Sequence, residues 1–219
     1  MYGLKDNVAR KAGTMGKEEN KEMEFWTQEE FQAFLEFVAD KPISYFAFEM
    51  LYWTGIREGE LLALTPADFN FEKKTLRINK SYQRLEGKDV ITDPKTPKSN
   101  RTIVMPDFFA VEMEDFISSL YGIKDDDRIF TISKSYLHHE MDRGAKLAGV
   151  KRIRIHGLRH SHISLLIDLG FSALAIGERV GHEAVDITYH YAHLFPTVQT
   201  DMAAQLETER EALVNVRKE

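Results

Sequence analysis

The chain has 219 residues, enough to bury one substantial core and leave an arm over, and its 43% apolar and 29% charged residues are an ordinary soluble globular composition. It contains no cysteine, which excludes disulfides, thiolate metal sites and a cysteine nucleophile and fits a reducing cytoplasm. The net charge of −6 disfavours nucleic acid only in sum, because nine Lys/Arg face three Asp/Glu between Lys73 and Arg101, and six face none between Arg143 and Ile167.

Residues 1–24 lack sustained apolar periodicity and predict a linker or arm, with no stretch resembling a signal peptide. Thr27 opens the first helix through a capping box, "TQEE", in which Glu30 reaches back to the cap. Phe31, Phe34, Leu35 and Val38 line one face of it. A second helix starts near Pro42 and carries Phe46, Met50, Leu51 and Trp53. Its apolar run, "ISYFAFEMLYW", is broken by Glu49 and falls short of the about 20 residues that a bilayer span needs. Gly55 separates it from a short third helix in "REGELLAL", which Pro66 ends.

Near Asp68 the period changes. "TLRINKSY" alternates as a strand does, "LEGKD" supplies a turn, and "RTIVMP" is a short β-rich run ended by Pro106. Helices are expected again at 106–121, 133–148, 158–169, 172–180 and 183–192, with a charged amphipathic tail from about 197 to 216. The expected class is mostly α with a small three-stranded antiparallel β-sheet between about 70 and 105. The two basic segments predict a localised anion-binding face, with accidental clustering on a solvated surface as the alternative.

Four segments carry candidate chemistry. "RIHGLRHSHI" (residues 154–163) holds three histidines, two arginines and no acid. His156 and Arg159, spaced i, i+3, share a face if helical. A metal site from His156, His160 and His162 is disfavoured, because His162 points away, no H-E-x-x-H pattern is present and Arg159 repels a cation. Packed or capping histidines are the plainer alternative. In "TGIREGELLAL", Arg57 starts a helix with Glu60 one turn on, a pair that alone is a surface ion pair worth about 0.2–0.5 kcal/mol. In "DPKTPKSNRTIVMP", Lys95 lies in a loop or hairpin edge, where a lone lysine is ordinarily solvated. In "VGHEAVDITYHYAHL", His182 follows a glycine and Tyr191 stands nine residues on, in a helix where tyrosine is ordinarily core.

In order and together, the four segments resemble the tyrosine recombinase (phage integrase) family, and the integrases of conjugative transposons in particular. That family shows an arginine in "TGxRxxEL", a lysine on a β-hairpin, H-x-x-R, a "GH" and a tyrosine about nine residues later. Here the matching positions are Arg57 with Glu60, Lys95 in "PKT", His156 and Arg159 in "HGLRH", His182 in "GH" and Tyr191 in "YHYAHL", spread from about Phe25 to Pro196.

The resemblance implies the tyrosine recombinase catalytic-domain fold and site-specific cleavage and rejoining of double-stranded DNA through a 3′-phosphotyrosyl intermediate. Arg57 and Arg159 would clamp the non-bridging phosphate oxygens with forked donors. Tyr191 would attack phosphorus, Lys95 would protonate the leaving 5′ oxygen, and His156 would assist proton transfer at the tyrosine. His182 would hydrogen-bond a phosphate oxygen, and Glu60 would orient its neighbours. Tyr189 is then a structural residue, buried or lining the other face of its helix. Arg77, Lys80 and Arg84 are the expected DNA contacts on the basic sheet segment. No metal or other cofactor enters this scheme, and Asp125, Asp126 and Asp127 are consecutive, so they cannot converge on one ion.

The family normally carries a helical core-binding domain before the catalytic one. Residues 1–24 are therefore expected to be the linker from such a domain, 25–196 the catalytic domain, and 197–219 a helical tail that docks on a neighbouring protomer. The expected partners are double-stranded DNA and other integrase protomers in a synaptic tetramer, in the cytoplasm and not on a membrane, as part of a mobile genetic element. A type IB topoisomerase-like enzyme and a non-catalytic DNA-binding module are the rival readings. A covalent adduct on nicked DNA excludes the second of these.

Overall fold

The computed structural model describes residues 23–94, 99–182, 184–191, 194, 206–208 and 210. α1 (Gln28–Glu36) starts with the expected capping box: the Glu30 amide donates to the Thr27 hydroxyl at 3.3 Å, and the Thr27 amide donates to the Glu30 carboxylate at 2.9 Å. Its apolar face, Phe31, Phe34 and Leu35, with Val38 just beyond, is fully buried. α2 (Pro42–Thr54) is buried over most of its circumference, and its Tyr52 ring stacks on Phe31 with centroids 3.8 Å apart. Glu49 lies in this helix only 4% exposed. Its carboxyl is pushed up to about 7, first by burial and then by the neighbouring Glu112 carboxylate.

α2 ends at Gly55, and the short α3 (Glu58–Leu61) follows, then a 3₁₀ turn at Pro66–Asp68. Five strands come next: β1 (Phe69–Asn70), β2 (Thr75–Ile78), β3 (Ser81–Leu85), β4 (Lys88–Thr92) and β5 (Arg101–Val104). The expected three-stranded antiparallel sheet is present in the order β1-β2-β5, with Leu76 opposite Ile103 and both buried. β3 and β4 form a second, two-stranded hairpin. It turns at Glu86 and Gly87, which both have positive φ (49° and 80°), as a two-residue turn that follows the strand twist requires.

"TLRINKSY", expected as one strand, is divided between β2 and β3, and Lys88 and Asp89, expected in the turn, begin β4. The break falls at Asn79 and Lys80. β4 alternates only between exposed and half-buried positions, so no apolar face marks it.

α4 (Asp107–Ser119), α5 (Lys134–Ala148), α6 (Gly157–Asp168), α7 (Ala173–Val180) and α8 (Ala184–Tyr191) each begin and end within two residues of the expected spans. Residues 1–22 lie outside the described residues. So does most of the tail, of which Leu206–Thr208 and Arg210 are helical and exposed.

Two cores organise these elements. The larger runs from Trp26 through α1, α2, the sheet, α4 and α5 to Leu158 at the start of α6. The smaller is built from Ile163 and Ile167 of α6, Ile176 and Val180 of α7, and Ile187 and Tyr191 of α8. α6 belongs to both. Its first turn therefore lies where the two cores meet.

Candidate active site

Arg159, on that first turn of α6, is 1% exposed, and its guanidinium joins the ends of two other helices. Nη1 donates to the Gly55 carbonyl after α2 at 2.6 Å, and Nη2 donates to the Val180 carbonyl at the end of α7 at 2.5 Å. Carbonyls at helix C-termini lack intrahelical partners and carry the negative end of the helix dipole, so both suit a guanidinium. Gly55 (φ 64°) and Gly181 (φ 73°) are left-handed caps that turn the chain away just there. The glycines of "TGIR" and "VGH" thus serve the same arginine. Burial, then Arg57 and Arg101, lower the Arg159 pKa to about 9, which leaves it charged near neutrality.

Arg57 precedes α3, and the Glu60 carboxylate binds it twice, at its backbone amide (2.9 Å) and its Nη1 (2.9 Å). Glu60 also receives Arg101 of β5, whose Nη2 and Nη1 donate at 3.0 and 3.3 Å. Burial works to raise the Glu60 pKa, but the hydrogen bonds and charge of Arg101, with those of Arg57, outweigh it and hold the group ionised below the usual carboxylate range. The Arg57 side chain remains 36% exposed while that of Arg101 is 6% exposed, so Arg57 is the member of the pair open to an incoming anion.

A second layer supports these arginines. Arg101 Nε donates to the Arg179 carbonyl at 2.8 Å, and Arg179 Nε donates to His162 Nε2 at 3.0 Å. Arg179 also donates to the carbonyls of Val104 and Trp53, tying α7 to β5 and α2. His162 is 2% exposed behind Gly55, and burial, then Arg179, lower its pKa to about 3. A Cβ built on Gly55 would lie 2.5 Å from the His162 ring.

His156 stands at the N-cap position of α6 without a side-chain capping bond and is exposed, and His160 lies one turn on, its ring edge-on to that of His156 at 4.9 Å. His160 Nδ1 is hydrogen-bonded to the Tyr191 hydroxyl, so the tyrosine's direct partner is His160 rather than the expected His156. Tyr191 is 3% exposed, and burial raises its pKa against the opposing charge of Arg159. His182 follows the Gly181 cap. Burial and the charges of Arg159, Arg57, His156 and Arg101 lower its pKa to about 3, and burial with Arg159 and Arg57 also lowers His156. Those mutual effects place Arg57, Arg159, His156, His182 and Tyr191 in one electrostatic neighbourhood.

Lys95 lies outside the described residues. Lys80 is not a free surface cation: its ammonium donates to Thr65 Oγ1 at 2.9 Å and pairs at 2.6 Å with Asp68, whose side chain is fully buried. Arg77 approaches the same carboxylate at 3.7 Å and is half-exposed, and Arg84 is exposed. Tyr189 is 83% exposed, the second of its two expected positions, because the apolar side of α8 is taken by Ile187 and Tyr191. Asp125, Asp126 and Asp127 are solvated, and among the described residues no cluster of His, Cys, Asp or Glu could hold a metal ion. Sequence reasoning missed Arg101, Arg179 and the tyrosine contact of His160. The i, i+4 spacing of His156 and His160 was the available signal for the last.

The Phage integrase family matches residues 24–197. Over 218 residues the chain is 32% identical to the ICEBs1 integrase of Bacillus subtilis (strain 168), covering 92% of this chain and 58% of that protein. It is 30% identical to the integrase of Staphylococcus phage L54a over 179 residues, covering 74% of this chain and 51% of that one. The chain thus spans about half the length of these curated relatives. Among solved structures, the Tn1549 transposon integrase in complex with a circular intermediate DNA superposes with a TM-score of 0.70 at 22% identity, over 88% of this chain and 67% of that one. The XerA recombinase gives 0.63 at 20% identity, over 88% and 66%. At those identities the likeness establishes the fold.

Proposed function

The chain belongs to the phage integrase family, and from that premise we propose that it cuts and rejoins double-stranded DNA at specific sites through a phosphotyrosyl intermediate. The observation that carries this reading is the buried Tyr191, hydrogen-bonded to His160 and within the field of Arg159, beside the braced and solvent-open Arg57. A phosphodiester gains negative charge on its non-bridging oxygens as a nucleophile adds. Arg57, held in place by Glu60 and Arg101, offers a forked donor for those oxygens, and Arg159 adds a second positive charge that is fixed before substrate arrives. The same charge favours the phenolate over the phenol, against the cost of burial.

Tyr191 attacks phosphorus and is left joined to the 3′ side, while the 5′ oxygen departs as a hydroxyl. The bond energy is kept in the phosphotyrosine, so a second strand's 5′-hydroxyl can reverse the step without an external energy source. Lys95 is the proposed proton donor to the leaving oxygen, and His182 a hydrogen-bond donor to the phosphate. Every group named is a protein side chain, so no cofactor is invoked.

Recombination of two duplexes needs four cleavages, and we assign the working form to a tetramer synapsed on DNA. Residues 1–24 then link a preceding DNA-gripping domain, and the tail from 197 docks between protomers. A cytoplasmic location accords with this role, and among the described residues no helix is long and apolar enough to cross a membrane. The test is a nicked duplex that loses its 5′-hydroxyl fragment after cleavage. The full chain should become trapped on it as an SDS-resistant adduct, and absence of any adduct rejects the reading.

A further inference from the structure

The tyrosine's proton has to go somewhere, and the site leaves it one evident route. Tyr191 is 3% exposed and packed among Ile163, Ile167, Ile176, Val180 and Ile187, so water does not take the proton directly. Its hydroxyl meets His160 Nδ1, with ring centroids 5.8 Å apart. His156, the residue of the H-x-x-R pattern, stands at the open end of α6 and meets His160 edge-on. We propose that His160 is the catalytic base for Tyr191, and that His156 screens and serves the solvent side of that imidazole. This rests on the reading of Tyr191 as the nucleophile.

The step balances without a further reactant. The Tyr191 O–H bond breaks and its proton passes to His160 Nδ1, giving an imidazolium. The freed oxygen pair forms the bond to phosphorus, and the P–O5′ bond breaks with its electrons going to O5′, which takes a proton from Lys95. On rejoining, the imidazolium returns its proton to the phenol oxygen. His160 suits the role because it starts neutral: burial, then His156, Arg159 and His190, hold its pKa down to about 4. His160 is assigned the tautomer with no proton on Nδ1, whose lone pair accepts the phenolic hydrogen bond. An arriving phosphate offsets the arginine charge and raises the basicity of His160 at the moment a base is needed.

The experiment measures single-turnover adduct formation by the full chain on the nicked duplex. His160→Ala should slow the adduct by about 100-fold or more while DNA affinity stays within about threefold. Added imidazole should restore much of the rate in proportion to its free-base fraction, which a merely structural loss would not show. A substrate with sulfur at the 5′ bridging position, whose thiolate leaves without a proton, should relieve Lys95→Ala but not His160→Ala.

His160→Asn guards against misfolding, because its amide oxygen accepts near the Nδ1 position but takes up no proton. It should melt and bind like the wild type and still be slow. A wild-type rate from either His160 variant, or a defect that imidazole leaves untouched or the sulfur substrate cures, overturns the proposal. If the unaltered chain forms no adduct, the recombinase reading itself fails, which is a separate outcome from an adduct that ignores His160.

Discussion

Glu60 holds Arg101 through both carboxylate oxygens, at 3.0 and 3.3 Å, with only about one-twentieth of either side chain exposed. That buried pair also fixes Arg57, so Glu60→Gln removes the charge balancing two guanidiniums. Unfolding by urea should show a loss of about 3 kcal/mol. Adduct formation should fall more steeply than DNA affinity, because Arg57 loses its orientation while keeping its charge.

Gly55→Ala tests whether one glycine serves two purposes. An alanine at φ 64° is strained, and its methyl would meet the His162 ring. The expected cost is about 2–4 kcal/mol in stability. The Gly55 carbonyl that receives Arg159 would shift with it, so activity should drop even at temperatures where the variant is folded.

Lys80 and Arg84 should separate cleanly. Lys80→Gln leaves the buried Asp68 with its Thr65 bonds but without its closest cation. Stability should fall by about 2 kcal/mol, while the salt dependence of DNA binding stays as it was. Arg84→Gln should leave stability unchanged and flatten the salt slope by about one phosphate contact. The reverse pattern would place Lys80 on DNA after all.

Tyr189 and Tyr191 differ in exposure, at 83% and 3%. Tyr191→Phe should bind DNA normally and give no SDS-resistant adduct, whereas Tyr189→Phe should give the wild-type amount. Cleavage by the wild type should proceed in excess EDTA. A persistent adduct from Tyr191→Phe, or a strict need for added magnesium, would contradict the assignment.

Glu49 supplies a pH test away from the site. Its folded pKa of about 7 lies above the ordinary glutamate value of 4.5, so its contribution is complete below about pH 4.5 and is lost as pH rises through 7. Glu49→Gln removes that loss. Relative to wild type, the variant should gain about 1 kcal/mol per pH unit between pH 4.5 and 7, read from denaturation at each pH. A difference that is flat across this window would show that Glu49 titrates normally.

The helices were legible in the sequence because each carries its own punctuation, from the capping box at Thr27 to the glycines after Thr54 and Val180. The hairpin was only half legible, since β4 has no buried face to set a period. Arg57, Arg159, His182 and Tyr191 could be named from short motifs, where spacing along the chain stands in for proximity. Arg101 and Arg179 could not, because their roles are set by pairing between β5, α3 and α7, which are far apart in sequence. Helix geometry puts Tyr189 and Tyr191 on different faces, but which face is buried is decided only by the packing of α8 against α6 and α7.

Among the described residues, six buried side chains join α7 and α8 to α6, while thirty-three make up the larger core. Sub-global opening draws on sparsely packed units first, so α7 and α8, otherwise held by the Arg101 and Arg179 hydrogen bonds to β5 and α2, are expected to open before the larger core. Two things are released together in that event. Tyr191 leaves its pocket, and the Val180 carbonyl leaves Arg159, freeing one arm of the guanidinium while Gly55 still holds the other. Opening of the smallest part of the molecule would therefore undo the Tyr191–His160 contact and one hold on Arg159 in a single motion, so the closed packing of α7 and α8 is what keeps both groups in place.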